Sequence, residues 1–437
     1  MTPSAIPPHD LADASLAVAG TGRIAWAQRQ MPVLARVRER FASQRPLRGI
    51  RVAACLHVTA ETASLMRTLK AGGARVALCS ANPLSVQDDV AAALVHGDRI
   101  EVHAVRGEDP ERYREHLRAV LATSPQVTLD DGADLLAALH EQAGGTDGEA
   151  SATTAGRGAR RGPEGLLGGV EETTGGLALL RSLQQRGLLR CPVLAVNEAR
   201  TERALNDRHG TGQSALDGII RASGVLLAGQ TLVVVGYGWA GQGIAERARG
   251  AGANVIVCEI DPLRALEARM AGYQVMPALD AAPLGDVFVT VTGARSVLRA
   301  EHFEAMKDGA LLANAGHFDV EIDLAALRAL AGGDGELVRP LVRSFRMADG
   351  RTLHLLAEGR VVNLAAAEGH PAAVMDVSFA LQALCVEALV KDGGRMAAGV
   401  HPVPEAIDRE VAALKLAALG VQIDRPPSPG AQPPGAR

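Results

Sequence analysis

The residues most able to do chemistry begin where an apolar run meets glycines. Thr231-Leu-Val-Val-Val235 is followed by Gly236-Tyr-Gly238-Trp-Ala-Gly241 and then a helical pattern. Gly236 permits a tight turn, Gly238 lets the backbone approach a pyrophosphate, and Gly241 lets the helix pack on its sheet. The helix N-terminus stabilises the phosphate charge. The next strand, at 254–258, leads into Glu259, about 20 residues on, where a dinucleotide fingerprint carries its acid. That carboxylate accepts hydrogen bonds from both ribose hydroxyls and repels a 2′-phosphate, so the expected cofactor is NAD.

A second set of polar residues sits at the ends of other short apolar runs. The run 50–57 ends on His57, with Thr59 and Glu61 just beyond. The run 127–130 ends on Asp130-Asp131, and Glu171-Glu172-Thr173-Thr174 opens a further helical stretch. Strand ends of this kind are where open α/β sheets bind ligands. The acid pairs also read as helix caps, and a lone histidine at a strand end also serves as a structural hydrogen-bonding group.

Strands must position these groups. Runs at 50–57, 75–79, 100–105, 127–130 and 193–196 form one strand-and-helix series. Runs at 231–235, 254–258, 287–291 and 310–313 form a second, and the apolar stretch 214–228, at helical spacing, joins them. The expected fold is α/β: two doubly wound Rossmann-like domains. The segment 143–169 breaks the pattern and reads as a surface loop. The Pro- and Gly-rich tail 425–437 reads as disordered.

Of the 437 residues, 47% are apolar, and the net charge is −4 with acids and bases intermixed, which excludes a basic nucleic-acid footprint. The five cysteines are too widely spaced for a Cys-x-x-Cys site, so no metal centre is expected. Reduced thiols and a cytoplasmic location are expected. No uninterrupted apolar run of about 20 residues suggests a membrane span.

The chain resembles the S-adenosylhomocysteine hydrolase family, in its archaeal and thermophile branch. The resemblance rests on Val235-Gly-Tyr-Gly-Trp-Ala-Gly-Gln-Gly243 with Glu259-Ile-Asp-Pro262, on Asn314-Ala-Gly-His-Phe-Asp-Val-Glu-Ile-Asp323, and on Leu356-Ala-Glu-Gly-Arg-Val-Val-Asn363 with Gly369-His-Pro371. It extends to Cys55-Leu-His-Val-Thr-Ala-Glu-Thr62, Leu129-Asp-Asp-Gly132 and Glu171-Glu-Thr-Thr174. In that family the ribose 3′-hydroxyl is oxidised at the expense of NAD+, which acidifies the C4′ proton. The 5′ substituent is then eliminated, water adds, and the ketone is reduced.

The resemblance implies roles for individual residues. His57 and Asp131 are acid/base groups around C5′, Glu172 and Thr173 hold ribose hydroxyls, and Thr59 and Glu61 contact adenine. His317 lies near the sugar and nicotinamide, and His370 closes over the nucleoside. Gly236, Gly238, Gly241, Glu259, Thr292, Asn314 and Asn363 hold NAD. A nucleoside domain is expected at 1–197 and 372–400, an NAD domain at 213–368, and a separate C-terminal segment at 401–437. A homodimer or homotetramer is implied, with an apolar stretch at 411–419 available for packing.

One segment departs from the family. Where its members carry a lysine, an aspartate and an asparagine, this chain has Glu202, Asn206 and Asp207, and Thr211 replaces a cysteine. Lys to Glu reverses a charge, and Asn206 cannot act as a base. Glu202 and Asn206 are therefore taken as members of a rearranged catalytic site. The departure favours a nucleoside dehydratase acting by 3′-oxidation and 4′,5′-elimination, as in nucleoside-antibiotic biosynthesis. True S-adenosylhomocysteine hydrolysis and an inactive NAD-binding regulator are the alternatives.

Overall fold

The computed structural model describes residues 6–144, 165–316 and 319–424. Most of the 143–169 loop, His317 and the 425–437 tail lie outside the described residues. The strands are β1 (His9–Asp10), β2 (Arg51–Leu56), β3 (Arg75–Ser80), β4 (Glu101–His103), β5 (Val127–Asp130), β6 (Gly168–Glu171), β7 (Pro192–Ala195) and β8 (Thr231–Val235). They continue with β9 (Asn254–Cys258), β10 (Gln274–Val275), β11 (Val287–Thr290), β12 (Leu311–Asn314), β13 (Glu336–Arg339), β14 (Val342–Arg346), β15 (Thr352–Leu356) and β16 (Gly399–Pro402).

They form two eight-stranded sheets. The first runs β1-β4-β3-β2-β5-β6-β7-β16 and is parallel throughout. The second runs β10-β9-β8-β11-β12-β15, all parallel, and ends in the antiparallel strands β14 and β13. Counting from β2, and from β8 with the antiparallel strands β13 and β14 left out, both sheets follow the doubly wound order 3-2-1-4-5-6. The order reverses between β2 and β5 in the first sheet and between β8 and β11 in the second. Central strands such as β8 are buried along nearly their whole length, as parallel sheets covered on both faces require.

Two parts were not expected from sequence. Gly168-Gly169-Val-Glu171 carries little strand signal, yet β6 lies between β5 and β7. A Cβ on Gly169 would sit 2.6 Å from Leu136 and 2.8 Å from the Thr128 hydroxyl, so tight packing selects glycine there. The hairpin β13–β14 escaped notice because all four residues of β13 are exposed and have no apolar face to advertise.

The C-terminal boundary is corrected. The described part of the C-terminal segment, 401–424, is joined to the first domain: β16 adds to β7, and the helix Glu405–Ala418 packs on the helices Ala372–Asp392 and Pro32–Gln44. Val411 is fully buried in the first core, so it is not free to meet another subunit. The joining helix, Gly212–Ser223, ends earlier than expected because Gly224 takes a left-handed conformation (φ +72°). Its Ala215, Leu216 and Ile219 belong to the core of the second sheet. A Cβ on Gly243 would lie 1.7 Å from the Arg208 carbonyl oxygen, so the helix Trp239–Gly250 touches the segment preceding the joining helix backbone to backbone.

The stretch 372–395 is long and apolar enough to cross a bilayer, but 72% of it is buried within the protein, where it forms the core of the first domain. Its Asp376 is wholly buried. It accepts hydrogen bonds from Val33 N (3.2 Å) and Leu34 N (2.8 Å) at the start of the helix Pro32–Gln44, and pairs with Lys415 (3.0 Å). One carboxylate thus caps one helix and anchors another. Removing it strands two helix N–H groups and an ammonium. Asp376→Ala is expected to lower the unfolding free energy by about 3 kcal/mol in urea titrations.

Candidate active site

The carboxyl ends of the two sheets face each other across one cleft of about 2140 Å³. Pockets for single small ligands reach about 1,000 Å³, so this cleft has room for a dinucleotide and a second ligand together. From the first sheet it is lined by His57, Thr59, Glu61, Asp131, Glu172 and Thr173. Glu202, Asn206 and His370 come from the connecting segments, and Gly236, Gly238, Glu259, Thr292 and Asn363 from the second domain. His317 lies outside the described residues. Gly241 and Asn314 act from behind the wall.

His57 follows β2. Its Nδ1 lies 2.6 Å from the Ser85 hydroxyl and its Nε2 3.4 Å from an Asp131 oxygen. Ser85 also donates to the Asn82 carbonyl (2.8 Å), which fixes the hydroxyl beside Nδ1, while Nε2 faces Asp131 and the cleft. Thr59 caps the helix Ala60–Ala71, which places Glu61 in its first turn at the cleft wall.

The two acid pairs divide their labour. Asp130 is buried and accepts from Leu135 N (2.8 Å), while Asp131 faces the cleft. Glu171 is buried and accepts from Gly132 N (3.0 Å) and Thr173 N (2.9 Å), while Glu172 faces the cleft. Alternation along a strand puts neighbours on opposite sides, so one member of each pair holds backbone N–H groups and the other is presented to the cleft. Glu172 accepts from the Ser378 hydroxyl and from Gln382 Nε2 (2.7 Å). Burial raises its pKa to about 7. Sequence reading did not single out Ser378 and Gln382. Their spacing of four, within the mainly apolar stretch 377–386 just after Gly369-His-Pro371, was the available signal.

The divergent segment lies against this group. Asp408 accepts from Arg200 N (2.9 Å) and Thr201 N (3.1 Å) and so starts the turn that carries Glu202. Glu202 is 2% exposed. The chain then winds as a π-helix from Arg203 to Thr211, a form found mostly at functional sites. Asn206 is buried beside Met375, with Nδ2 3.9 Å from its sulfur. Burial raises Asp207 to about 6. Thr211 meets His370 Nε2 at 3.1 Å. Desolvation, with His57 nearby, lowers His370 to about 4, so it is neutral at neutral pH.

Across the cleft, Gly236 sits at φ +106°, and a Cβ on it would lie 2.9 Å from the Val291 carbonyl. A Cβ on Gly241 would lie 2.1 Å from the Gly236 carbonyl. Gly238 opens the helix Trp239–Gly250 and faces open space, with Arg264 at 3.7 Å. Glu259 accepts from Tyr237 N (2.6 Å) and Ile260 N (2.7 Å) at the end of β9, beside this turn. Glu321 holds Thr292 through its N–H (2.9 Å) and hydroxyl (3.0 Å). Asn363 donates to Ser214 (3.2 Å), and its buried Oδ1 has no partner among the described residues. Asn314 instead donates to the Gly359 carbonyl (3.0 Å) and accepts from Gly316 N (2.8 Å), so it shapes the wall rather than lining it. His302 accepts from Arg299 N (3.2 Å), in a capping role.

An open glycine cradle at a helix N-terminus, an acid at the next strand end and an orphaned buried acceptor fit a dinucleotide. This architecture defines an NAD-dependent, two-domain enzyme. The sequence profile of the S-adenosyl-L-homocysteine hydrolase NAD-binding domain matches residues 207–369. An adenosylhomocysteinase of Aquifex aeolicus (strain VF5) is 55% identical over 415 residues, covering 95% of each chain. One of Thermosynechococcus vestitus is 52% identical, covering 95% of this chain and 93% of that protein. An S-inosyl-L-homocysteine hydrolase of Methanopyrus kandleri is 50% identical, covering 95% and 94%. The chain belongs to the S-adenosyl-L-homocysteine hydrolase family, and its cofactor is NAD.

Two outcomes follow for the cofactor. Gly241→Ala forces the turn open and should weaken NAD binding at least tenfold, about 1.4 kcal/mol, in calorimetric titration. The intact protein should prefer NAD to NADP by at least the same factor, and Glu259→Ala should narrow that preference.

Proposed function

We propose that this enzyme cleaves the bond from C5′ of an adenine nucleoside to its 5′ substituent, with S-adenosyl-L-homocysteine thioethers as the first substrate class. One observation carries the reading: the His57–Asp131 pair and Glu172 emerge at the switch point of one sheet and confront the glycine turn of the other across a shared cleft. Sequence alone put dehydration first. Relatives named for thioether hydrolysis, about half identical over 95% of the chain, put hydrolysis first.

NAD supplies reversible hydride acceptance at the sugar. The chain's own residues do the rest. Glu172, oriented by Ser378 and Gln382, accepts hydrogen bonds from ribose hydroxyls, with Thr173 beside it. Glu61 accepts from the adenine amino group. A carboxylate there opposes the carbonyl oxygen of hypoxanthine, which favours adenosyl over inosyl substrates. His57 Nε2, backed by Asp131, delivers and recovers a proton at the 5′ position. His370, neutral and held by Thr211, covers the nucleoside and excludes water. Asn363 Oδ1 and Thr292 are assigned to the nicotinamide end of the cofactor.

A second reading, loss of water from a 5′-hydroxyl nucleoside to a 4′,5′-didehydro product, is favoured by the divergent segment. Glu202 and Asn206 stand where the family places its lysine and aspartate. A departing oxygen also needs protonation by His57 and Asp131 more than a thiolate does.

The holoenzyme, incubated with S-adenosyl-L-homocysteine, its inosyl counterpart and adenosine, and analysed by mass, separates the readings. Adenosine with homocysteine is the expected product. A nucleoside lighter by one water installs the second reading, and no product from any substrate sinks both. The double reversal Glu202→Lys with Asn206→Asp should raise thioether turnover at least tenfold.

Assembly as a homodimer or homotetramer is part of the proposal. Leu263, Leu266 and Met270 form an exposed apolar row on the helix Pro262–Met270, and Leu419 and Ile423 are exposed beyond the last helix. Light scattering at micromolar concentration should report more than a monomer.

A further inference from the structure

The segment that departs from the family brings Glu202 and Asp207 to a point where two further acids, Glu172 and Asp131, already stand. Glu202 is buried and lines the same cleft wall as Glu172, the carboxyl that acts most strongly on it, and one of its oxygens, Oε2, has no partner among the described residues. Glu172 already receives Ser378 and Gln382. Asp207 approaches from the π-helix and Asp131 from the end of β5. From the long helix, the neighbouring side chains are Ser378, Gln382 and the Cys385 thiol. The cation whose influence reaches this group is Arg203, which acts on Asp207 and lies 3.6 Å from Glu198.

Two neighbouring carboxylates, one buried and the other at the cleft wall, cannot both stay charged at low cost without a cation beside them. Aspartic-protease dyads resolve the same conflict by sharing a proton. The donors present settle which member keeps it. The Ser378 hydroxyl, which lies between the two acids, and Gln382 both donate to Glu172, whereas Glu202 Oε2 receives nothing.

We propose that Glu202 is a neutral acid that donates its proton to Glu172, so that the pair carries one negative charge and Glu172 presents one oriented carboxylate to a sugar hydroxyl. Only the last clause rests on the nucleoside reading. Glu202 is thus a positioning residue acting through Glu172, and not the free base that its sequence position suggests. The role matches chemistry at a site without a lysine: the proton takes over the charge compensation that an ammonium would give.

The direction of the pH effect follows. Burial first, then Glu172 and Asp207, push the Glu202 pKa well above the ordinary carboxyl value. Such a group holds its proton more tightly folded than unfolded. Its stabilisation is full below the ordinary carboxyl range and is lost as pH rises toward the folded-state value.

Glu202→Gln keeps the donor and cannot ionise. With saturating NAD in every sample, the melting temperature of Glu202→Gln minus that of the unaltered protein should widen by about 2 °C or more between about pH 5 and pH 8. Glu172→Gln should show a widening of the same sign. A difference that stays flat for both variants overturns the proposal. Reduction of bound NAD by adenosine, followed by absorbance, adds a second test. Its alkaline fall should shift upward or vanish in Glu202→Gln, while Glu202→Ala should lower it at every pH. An alkaline fall that stays in place in Glu202→Gln overturns the positioning role. If melting responds as stated but adenosine reduces nothing, the shared proton stands and the nucleoside reading fails.

Discussion

A parallel strand covered on both faces has one place to show a polar side chain: its carboxyl end. That constraint organises the whole molecule. Val52, Val127 and Val193 are buried in the first sheet, and Leu232, Val234, Val287 and Val289 in the second. Register then brings the strand ends level. Cys55 pairs with Asp130, and Asp130 with Glu171, while Val235 pairs with both Cys258 and Thr290. The residues just past those pairs, Asp131, Glu172, Gly236 and Glu259, therefore reach the cleft together although they are far apart in the chain.

The same constraint explains what could be read without coordinates. Runs such as 232–235 and 255–258 are apolar without interruption because both faces of their sheet are covered, so their strands and the residues ending them were visible. β6 was not, because its two glycines answer to Leu136 and Thr128 across the packing interface. Asn314 sat in a family motif, and the structure adds that its amide bridges Gly316 and Gly359 beside the cleft. A motif records that a residue matters without recording what it touches. Ser378 and Gln382 were hidden for the opposite reason: within a mainly apolar stretch of helix, two polar residues mean nothing until Glu172 is placed beside them.

Buried acids recur through the first domain, and each is managed differently. Glu387 is paired with Arg40 (2.6 Å) and Lys391 (2.7 Å), and its pKa is lowered. Asp130 has a backbone N–H but no cation, and burial raises it to about 7. The cleft acids belong to the second kind. The first domain thus holds full ion pairs at its periphery and protonatable groups at its working edge, where a change of charge is useful.

Gly243 shows how much one string of residues can specify. Read as text, it is a further small residue in the run that begins at Gly236, and it would pass as part of the dinucleotide signature. In space it has nothing to do with phosphate. It is the hollow into which the Arg208 carbonyl fits, so any side chain there would lever the π-helical turn off the helix beneath it. The glycine run therefore encodes two instructions in one phrase, a cradle at its start and a joint at its end. Altering the final letter would leave the cradle intact while dislodging Asn206 and Asp207 from the wall of the cleft.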